Sequence, residues 1–332
     1  MNTGVINEVS DRFIAGWCKP TRQGLPALLN LYVEDILLRS QAANIARDDI
    51  VGVIPSDSEP SILGFRFYVS ESLLKLLPKQ GKIKVVIDGS DECLPFSAET
   101  RSHVNGASAS GSELTERLKS GHRVNQWGYL SIPFSAAPSR INDLLDLYCD
   151  VRNLLRIVDG RQLYLTGGNL LGLIREFRFL PHDDDLDASF CVKAGSPDEV
   201  VEKFYRHFAR VSEKLRPLGF SVNFNNTGHY NIARGEHKVD ILFGWIMPDG
   251  NWFRFTGFGG QIGAQSFQVR EIDYNNRRVL IPQYAERELE LTYGAGWRTP
   301  DPNFSRRRTG GVKAMIELVE KIGSERAKEA RK

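Results

Sequence analysis

Residues 179–190 read FLPHDDDLDASF, with aspartate at four of the five positions from 183 to 187 and only Leu186 breaking the run. Such a density of like charge is ordinary in a solvated acidic turn. Here it sits among Phe179, Leu180, Leu186, Phe190 and Val192, the apolar pattern of a strand entering a core. Strand side chains alternate between faces, so Asp183, Asp185 and Asp187 are expected on one face, with Leu186 and Ala188 on the other. Three carboxylates on one face repel unless water solvates them or a cation neutralises them. An all-oxygen donor set suits Mg²⁺ or Mn²⁺, which keep part of their hydration and take one or two protein carboxylates plus substrate phosphates.

Upstream, QLYLTGG reads as a strand and NLLGLIREF as a short helix, so Gly167, Gly168 and Asn169 form the turn between them. A Gly-Gly bend alone is more often a tight turn than a phosphate site. A helix N-terminus behind it does offer free N–H groups and partial positive charge to an anion. With the acids close behind in the sequence, one element is placed to hold a phosphate tail and the other the metal that bridges it. A third acid is expected on a neighbouring strand. Asp240 fits, a lone carboxylate between Val239 and Ile241 in HKVDILFGW; the alternative is a strand-end aspartate on a solvated face.

These residues carry a family resemblance. LYLTGGNLLGLIREFRFLPHDDDLDASF resembles the signature of the LicD/fukutin family: glycine, a short apolar helix, an arginine, then an aspartate run. The later RVLIPQYAERELELTYGAGWRTPDP is similar to that family's closing segment through Pro282, Glu286, Leu289, Tyr293, Gly294, Trp297 and Pro300. The resemblance spans residues 162–302. It implies a nucleotidyltransferase-like fold. It also implies transfer of a phosphorylated alcohol (phosphocholine, glycerol phosphate or ribitol phosphate) from a CDP-linked donor to a sugar.

By the same resemblance, Asp185 and Asp187 hold the metal with Asp183 and Asp184 flanking. Asp240 is the third acid, holding a second metal or accepting the hydroxyl proton, and Asp183 is the alternative base. Arg175 matches the family arginine. Asn169 and His182 depart from the family's usual Ser/Thr and Trp, at the phosphate end of the pocket. Gly167, Gly168, Asn169, Arg175 and His182 are the candidate donor contacts. His182 could equally be structural, and Arg178 a plain surface arginine.

Working outward, residues 1–98 are a succession of short β-rich segments bounded by Gly, Pro or Asp, expected as a small all-β sandwich-like accessory domain. This half resembles, more loosely, β-sandwich modules of bacterial surface-polysaccharide enzymes. Arg47-Asp48 reads as an internal salt bridge or turn. ESLLKLLPKQG adds a helical turn. SHVNGASASGSE (102–113) is small and polar, so residues 99–122 are expected as a linker.

Residues 123–332 are then the catalytic domain, an α+β mixed sheet with packed helices. Ile141, Leu144, Leu145, Tyr148, Val151, Leu155 and Val158 recur at helical spacing. Ser196, Pro197 and Glu199 open a second helix as a capping box, and Gly219 closes it. FSVNFN, HYNIARG, HKVDILFGWIM and NWFRFTGF read as strands. Arg306–Arg308 could grip an acidic group but usually such runs are solvated, and the mixed-charge tail reads as a surface helix.

The 332 residues carry 43 basic and 41 acidic side chains, a formal +2 that neither demands nor excludes a polyanion. No basic, aromatic-rich face of the kind that tracks a nucleic acid is visible. No signal peptide and no membrane span are expected, and the location is read as cytoplasmic, with peripheral membrane association left open. The four cysteines lie far apart, outside zinc spacing, and read as buried free thiols. Three rivals stand beside the phosphotransferase: a DxD glycosyltransferase using a nucleotide-sugar, an RNA nucleotidyltransferase, and a non-catalytic glycan-binding scaffold.

Overall fold

Ile6, Ile14, Leu29, Leu31, Phe65, Phe67 and Val85 alternate with more exposed neighbours along short segments, and their burial in one core builds the N-terminal unit. The structure is a computed structural model. It describes residues 4–20, 25–45, 47, 64–90, 92–255, 258–261, 268–301 and 310–329. The chain divides into two compact units, Met1–Ala136 with Asp301–Ser305, and Ala137–Pro300 with Arg306–Lys332.

In the first unit, β1 (Gly4–Val9), β2 (Phe13–Cys18), β3 (Leu28–Val33), β4 (Ile36–Ala42) and β5 (Gly64–Tyr68) precede a helical turn, α1 (Glu71–Leu74). Then come β6 (Gly81–Ile87), β7 (His103–Val104), α2 (Ser112–Lys119), β8 (Arg123–Val124) and β9 (Leu130–Ser131). Two antiparallel sheets, β1-β2-β5 and β4-β3-β6-β7, share that core as a sandwich. Residues 99–122, expected as a linker, hold β7 and α2. Val104 and Leu114 anchor them, both fully buried. Arg47 donates to the Gly16 carbonyl at 3.5 Å, while Asp48 lies outside the described residues.

The second unit opens with α3 (Arg140–Asp159), whose stripe of Leu144, Leu145, Tyr148, Val151 and Leu155 is buried as its spacing predicts. Next come β10 (Tyr164–Leu165), α4 (Gly167–Glu176), β11 (Asp187–Lys193) and α5 (Pro197–Leu215). Ser196 caps α5 by accepting the Glu199 N–H, and Glu199 returns a bond to the Gly195 N–H at 2.5 Å, one residue earlier than a capping box.

Strands β12 (Ser221–Asn226), β13 (His229–Arg234), β14 (His237–Ile246), β15 (Asn251–Arg254) and β16 (Phe258–Gln261) follow, then β17 (Val269–Tyr274), β18 (Arg277–Pro282), α6 (Ala285–Tyr293) and α7 (Gly310–Glu329). The main sheet runs β10-β11-β14-β13-β12, with β15 on β14 and β16 on β15. Among the described residues, only β11 and β14 pair in parallel there; the other neighbours are antiparallel. The molecule is therefore α+β, a mixed sheet with packed helices preceded by a β-sandwich.

The structure corrects several details. The strand expected through 183–187 begins only at Asp187. Pro181, which lacks an N–H, sits in a turn where Asp183 N–H reaches the Leu180 carbonyl at 3.0 Å, so alternation cannot place Asp183 and Asp185. NWFRFTGF is not one strand: β15 ends at Arg254 and β16 begins at Phe258, with 256–257 outside the described residues. The tail helix α7 is not wholly superficial, since Ile316 and Val319 are buried and Tyr205 donates to the Gly323 carbonyl at 3.2 Å. All four cysteines are free, but Cys93 is exposed and only Cys18 is fully buried. Arg306–Arg308 lie outside the described residues. Among the described residues, no helix is long and apolar enough to cross a membrane.

Candidate metal centre

Parallel pairing sets the heart of the site. Asp187, first residue of β11, is in register with Asp240 of β14, so both side chains leave the same face of the sheet as direct neighbours. The Asp240 N–H donates to the Leu186 carbonyl at 2.9 Å, and Leu186 is fully buried beneath them. Asp185 joins from the preceding turn. Carboxylate oxygens of Asp185, Asp187 and Asp240 all lie within 4.8 Å of one another, as one cation's ligands would.

A second element holds that geometry. Asn169, on the first turn of α4 and only 1% exposed, donates its amide to the Asp185 carbonyl at 3.2 Å. The same amide accepts the Asp187 N–H at 2.7 Å. It therefore clamps the backbone on both sides of Leu186, a positioning role where sequence reading suggested ligand contact. Glycine is needed beside it. Gly167 has φ +60°, and a Cβ there would lie 2.8 Å from Asp187 Oδ2, while one at Gly168 would overlap the Asp183 carboxylate. The helix N-terminus thus already faces two of the acids.

Thr166, the residue before the glycines, is anchored from below. Its hydroxyl donates to Glu288 Oε1 at 2.5 Å and accepts from Arg254 Nη1, and Arg254 and Glu288 form an ion pair. All three side chains are essentially inaccessible to water. Burial raises the Glu288 carboxyl above its usual range, opposed by Arg254 and Thr166. This network explains why the closing segment matters to the site: α6 delivers Glu288 to the glycine turn. The acid that reaches it is Glu288, whereas Glu286 of the resemblance is exposed.

The electrostatics are those of crowded carboxylates. Asp185 is pushed well above the usual carboxylate range, first by burial and then by the charges of Asp187, Asp184 and Asp240. Asp240 goes the other way. Burial works against its ionisation, but a hydrogen bond from His229 and the charge of Lys238 outweigh it. His229 Nε2 lies 3.0 Å from Asp240 Oδ1, and Lys238 Nζ donates to Oδ2 at 2.6 Å. Neither residue is picked out by sequence reading. The available signal is Lys-x-Asp on a strand, which places both side chains on one face.

The remaining candidates scatter. Asp183 lies against Gly168, beside but outside the triad. Arg175 and Arg178 sit at the other end of α4 and both pair with Glu176, at 2.9 and 3.1 Å. His182 is exposed in the turn ahead of the acids. The donor set of Asp185, Asp187 and Asp240 contains only hard oxygens and could hold a divalent cation of the Mg²⁺ or Mn²⁺ class.

No protein-family model matches the chain, and no curated protein sequence does either. The LicD/fukutin resemblance therefore stands on its motifs alone. Among solved structures, the chain is similar to the lincomycin-bound lincosamide antibiotic adenylyltransferase LnuA at 15% identity, covering 55% of this chain and 96% of that one with a TM-score of 0.29. A solution structure of the antibiotic-resistance factor ANT(2'')-Ia matches at 14% identity, over 59% of this chain and 95% of that one, TM-score 0.30. The same factor in complex with adenylyl-2''-tobramycin gives 14%, 58%, 93% and 0.27 in the same order. At these scores the likenesses bear no weight, and the reading of the site rests on its own geometry.

Proposed function

We propose that the second unit is a metal-dependent phosphotransferase with a nucleotidyltransferase-like fold. It moves a phosphorylated alcohol of the phosphocholine, glycerol phosphate or ribitol phosphate type from a CDP-linked donor to a sugar hydroxyl of a surface glycan, such as a capsule or lipopolysaccharide, and releases CMP. The observation that carries this is the register pair Asp187–Asp240 with Asp185 beside it, facing a glycine-built helix N-terminus. The choice of a CDP-linked donor and a glycan acceptor rests on the motif resemblance over 162–302. The first unit is assigned an accessory role towards the glycan.

Asp185, Asp187 and Asp240 would hold Mg²⁺, which when bound supplies charge neutralisation to the donor diphosphate. Asn169 keeps the backbone of Asp185 and Asp187 in place, and strand pairing sets Asp240 beside them. The sugar oxygen bonds to the phosphorus that carries the alcohol, the bond from that phosphorus to the CMP oxygen breaks, and CMP leaves with the electron pair. The hydroxyl proton passes to a carboxylate of the cluster, for which Asp183 is the acid outside the triad.

The test is to incubate the protein with CDP-choline, CDP-glycerol, CDP-ribitol, UDP-glucose and CTP in Mg²⁺. CMP release from a CDP-alcohol, silenced by EDTA, is expected. UDP release from UDP-glucose with no CDP-alcohol turnover would replace the reading by glycosyl transfer. Pyrophosphate release from CTP alone would replace it by nucleotidyl transfer.

A further inference from the structure

Asp240 does not wait bare for a metal. Oδ1 lies 3.0 Å from His229 Nε2, and Oδ2 accepts from Lys238 Nζ at 2.6 Å. Lys238 and Asp240 are two residues apart on β14, so their side chains share the triad's face and the lysine folds back along the strand. The two ends differ in freedom: the Asp240 side chain is 6% exposed, that of Lys238 is 51%. A half-exposed lysine side chain with a flexible stem can carry its ammonium away, whereas the strand-bound carboxylate stays.

We propose that Lys238 is the resident counter-cation of the acid triad, that a divalent metal displaces its ammonium from Asp240, and that the freed ammonium then binds the diphosphate of the substrate. The proposal rests on the metal-dependent reading above. An ammonium and a divalent cation compete for the same carboxylate oxygen. Three carboxylates within 4.8 Å of one another favour the doubly charged ion once it is present. Displaced, the ammonium would stay within a side-chain length of Asp240, where the diphosphate of the substrate would need a second cation. Lysine suits such a partner exchange better than arginine, because its point charge binds without a fixed fork.

The test uses the full chain, Mn²⁺ followed by electron paramagnetic resonance, and inorganic pyrophosphate as the anion probe. Lys238→Met is expected to bind Mn²⁺ roughly three- to thirtyfold tighter than wild type, the range one partly exposed charge-assisted contact is worth. At saturating Mn²⁺ it is expected to bind pyrophosphate about tenfold more weakly. Lys238→Arg keeps the charge and should restore weaker Mn²⁺ binding, which separates a charge effect from a folding defect. A circular dichroism melt checks that each variant folds. Equal Mn²⁺ affinity in wild type and Lys238→Met overturns the counter-cation role, and equal pyrophosphate affinity overturns the partner exchange. Failure of every variant, wild type included, to take Mn²⁺ would remove the metal reading itself.

Discussion

Asn169 stands where the motif that this sequence resembles has Ser or Thr, and its partners make it intelligible: its amide bonds the backbone of the loop that carries the acids. A hydroxyl at that position could not both donate to the Asp185 carbonyl and accept from the Asp187 N–H with the same reach. At the acids themselves, Asp185→Asn and Asp187→Asn are each expected to lose Mn²⁺ binding and to lower donor turnover at least about a hundredfold, since metal charge neutralisation is worth several kcal/mol. Each should melt no lower than wild type in metal-free buffer, because removing one charge relieves repulsion within the triad. A folded variant with near-normal activity at ordinary Mg²⁺ would remove the assignment. The acids are legible in the sequence because a dense acidic run amid apolar residues has few explanations. His229 is not, because it meets Asp240 only through strand pairing, and Lys238 is signalled only by its Lys-x-Asp spacing on β14, a pattern common on solvated strand faces.

Elements bring the site together through buried polar links that composition cannot reveal. Glu288 of α6, Arg254 of β15 and Thr166 before α4 converge although they lie far apart in the chain. Glu288→Gln leaves the Arg254 guanidinium buried without a full counter-charge, a loss on the order of 3–5 kcal/mol, read as a lower urea midpoint. An unchanged midpoint would mean that the pair is not a structural anchor. Between α3 and α5, His207 is 4% exposed and its ring nitrogens lie 2.7 Å from Asp159 and from the Tyr230 hydroxyl. The Asp159 carboxylate can only accept, so a neutral ring donates from Nδ1 and accepts the tyrosine proton at Nε2.

Burial holds His207 below its ordinary 6.5 in spite of Asp159. Asp159 is drawn from 3.8 to about 2, led by the His207 hydrogen bond and opposed by burial. Both folded-state values are depressed, so the unfolded chain binds more protons at acid pH and stability falls as pH falls. Stability is expected to decline as pH drops below 6.5, and again between 3.8 and about 2. His207→Gln, which can keep both hydrogen bonds, should flatten the first limb. A wild-type unfolding free energy that stays level from about pH 7 to 5 would contradict this. Helix spacing makes α3 and α5 readable in the sequence. The hairpin of β17 and β18 escapes it, because Asn275 and Asn276, both at positive φ, form a two-residue turn without glycine.

At the scale of the whole molecule, every residue of the candidate centre belongs to the second unit. A chain beginning at Ala137 is therefore expected to fold and to keep donor hydrolysis within about an order of magnitude, as a unit with its own core should. Loss of hydrolysis in a folded truncation would give the first unit a part in the chemistry. The α+β class and the β-rich first half are legible because strand-like segments dominate residues 1–98, whereas helix-like periods join them from Pro138 on. The extent of the first unit is less so, since 99–122 looks like a linker until Val104 and Leu114 are seen buried. On the proposed function, the triad loads a metal to break a nucleotide-linked phosphate. Phosphorus NMR of the full chain with CDP-alcohols tests it most directly. CMP should appear with Mg²⁺, stop with EDTA and be absent from Asp187→Asn. Turnover that persists in EDTA, or no cleavage of any CDP-alcohol by folded, metal-loaded protein, would contradict it.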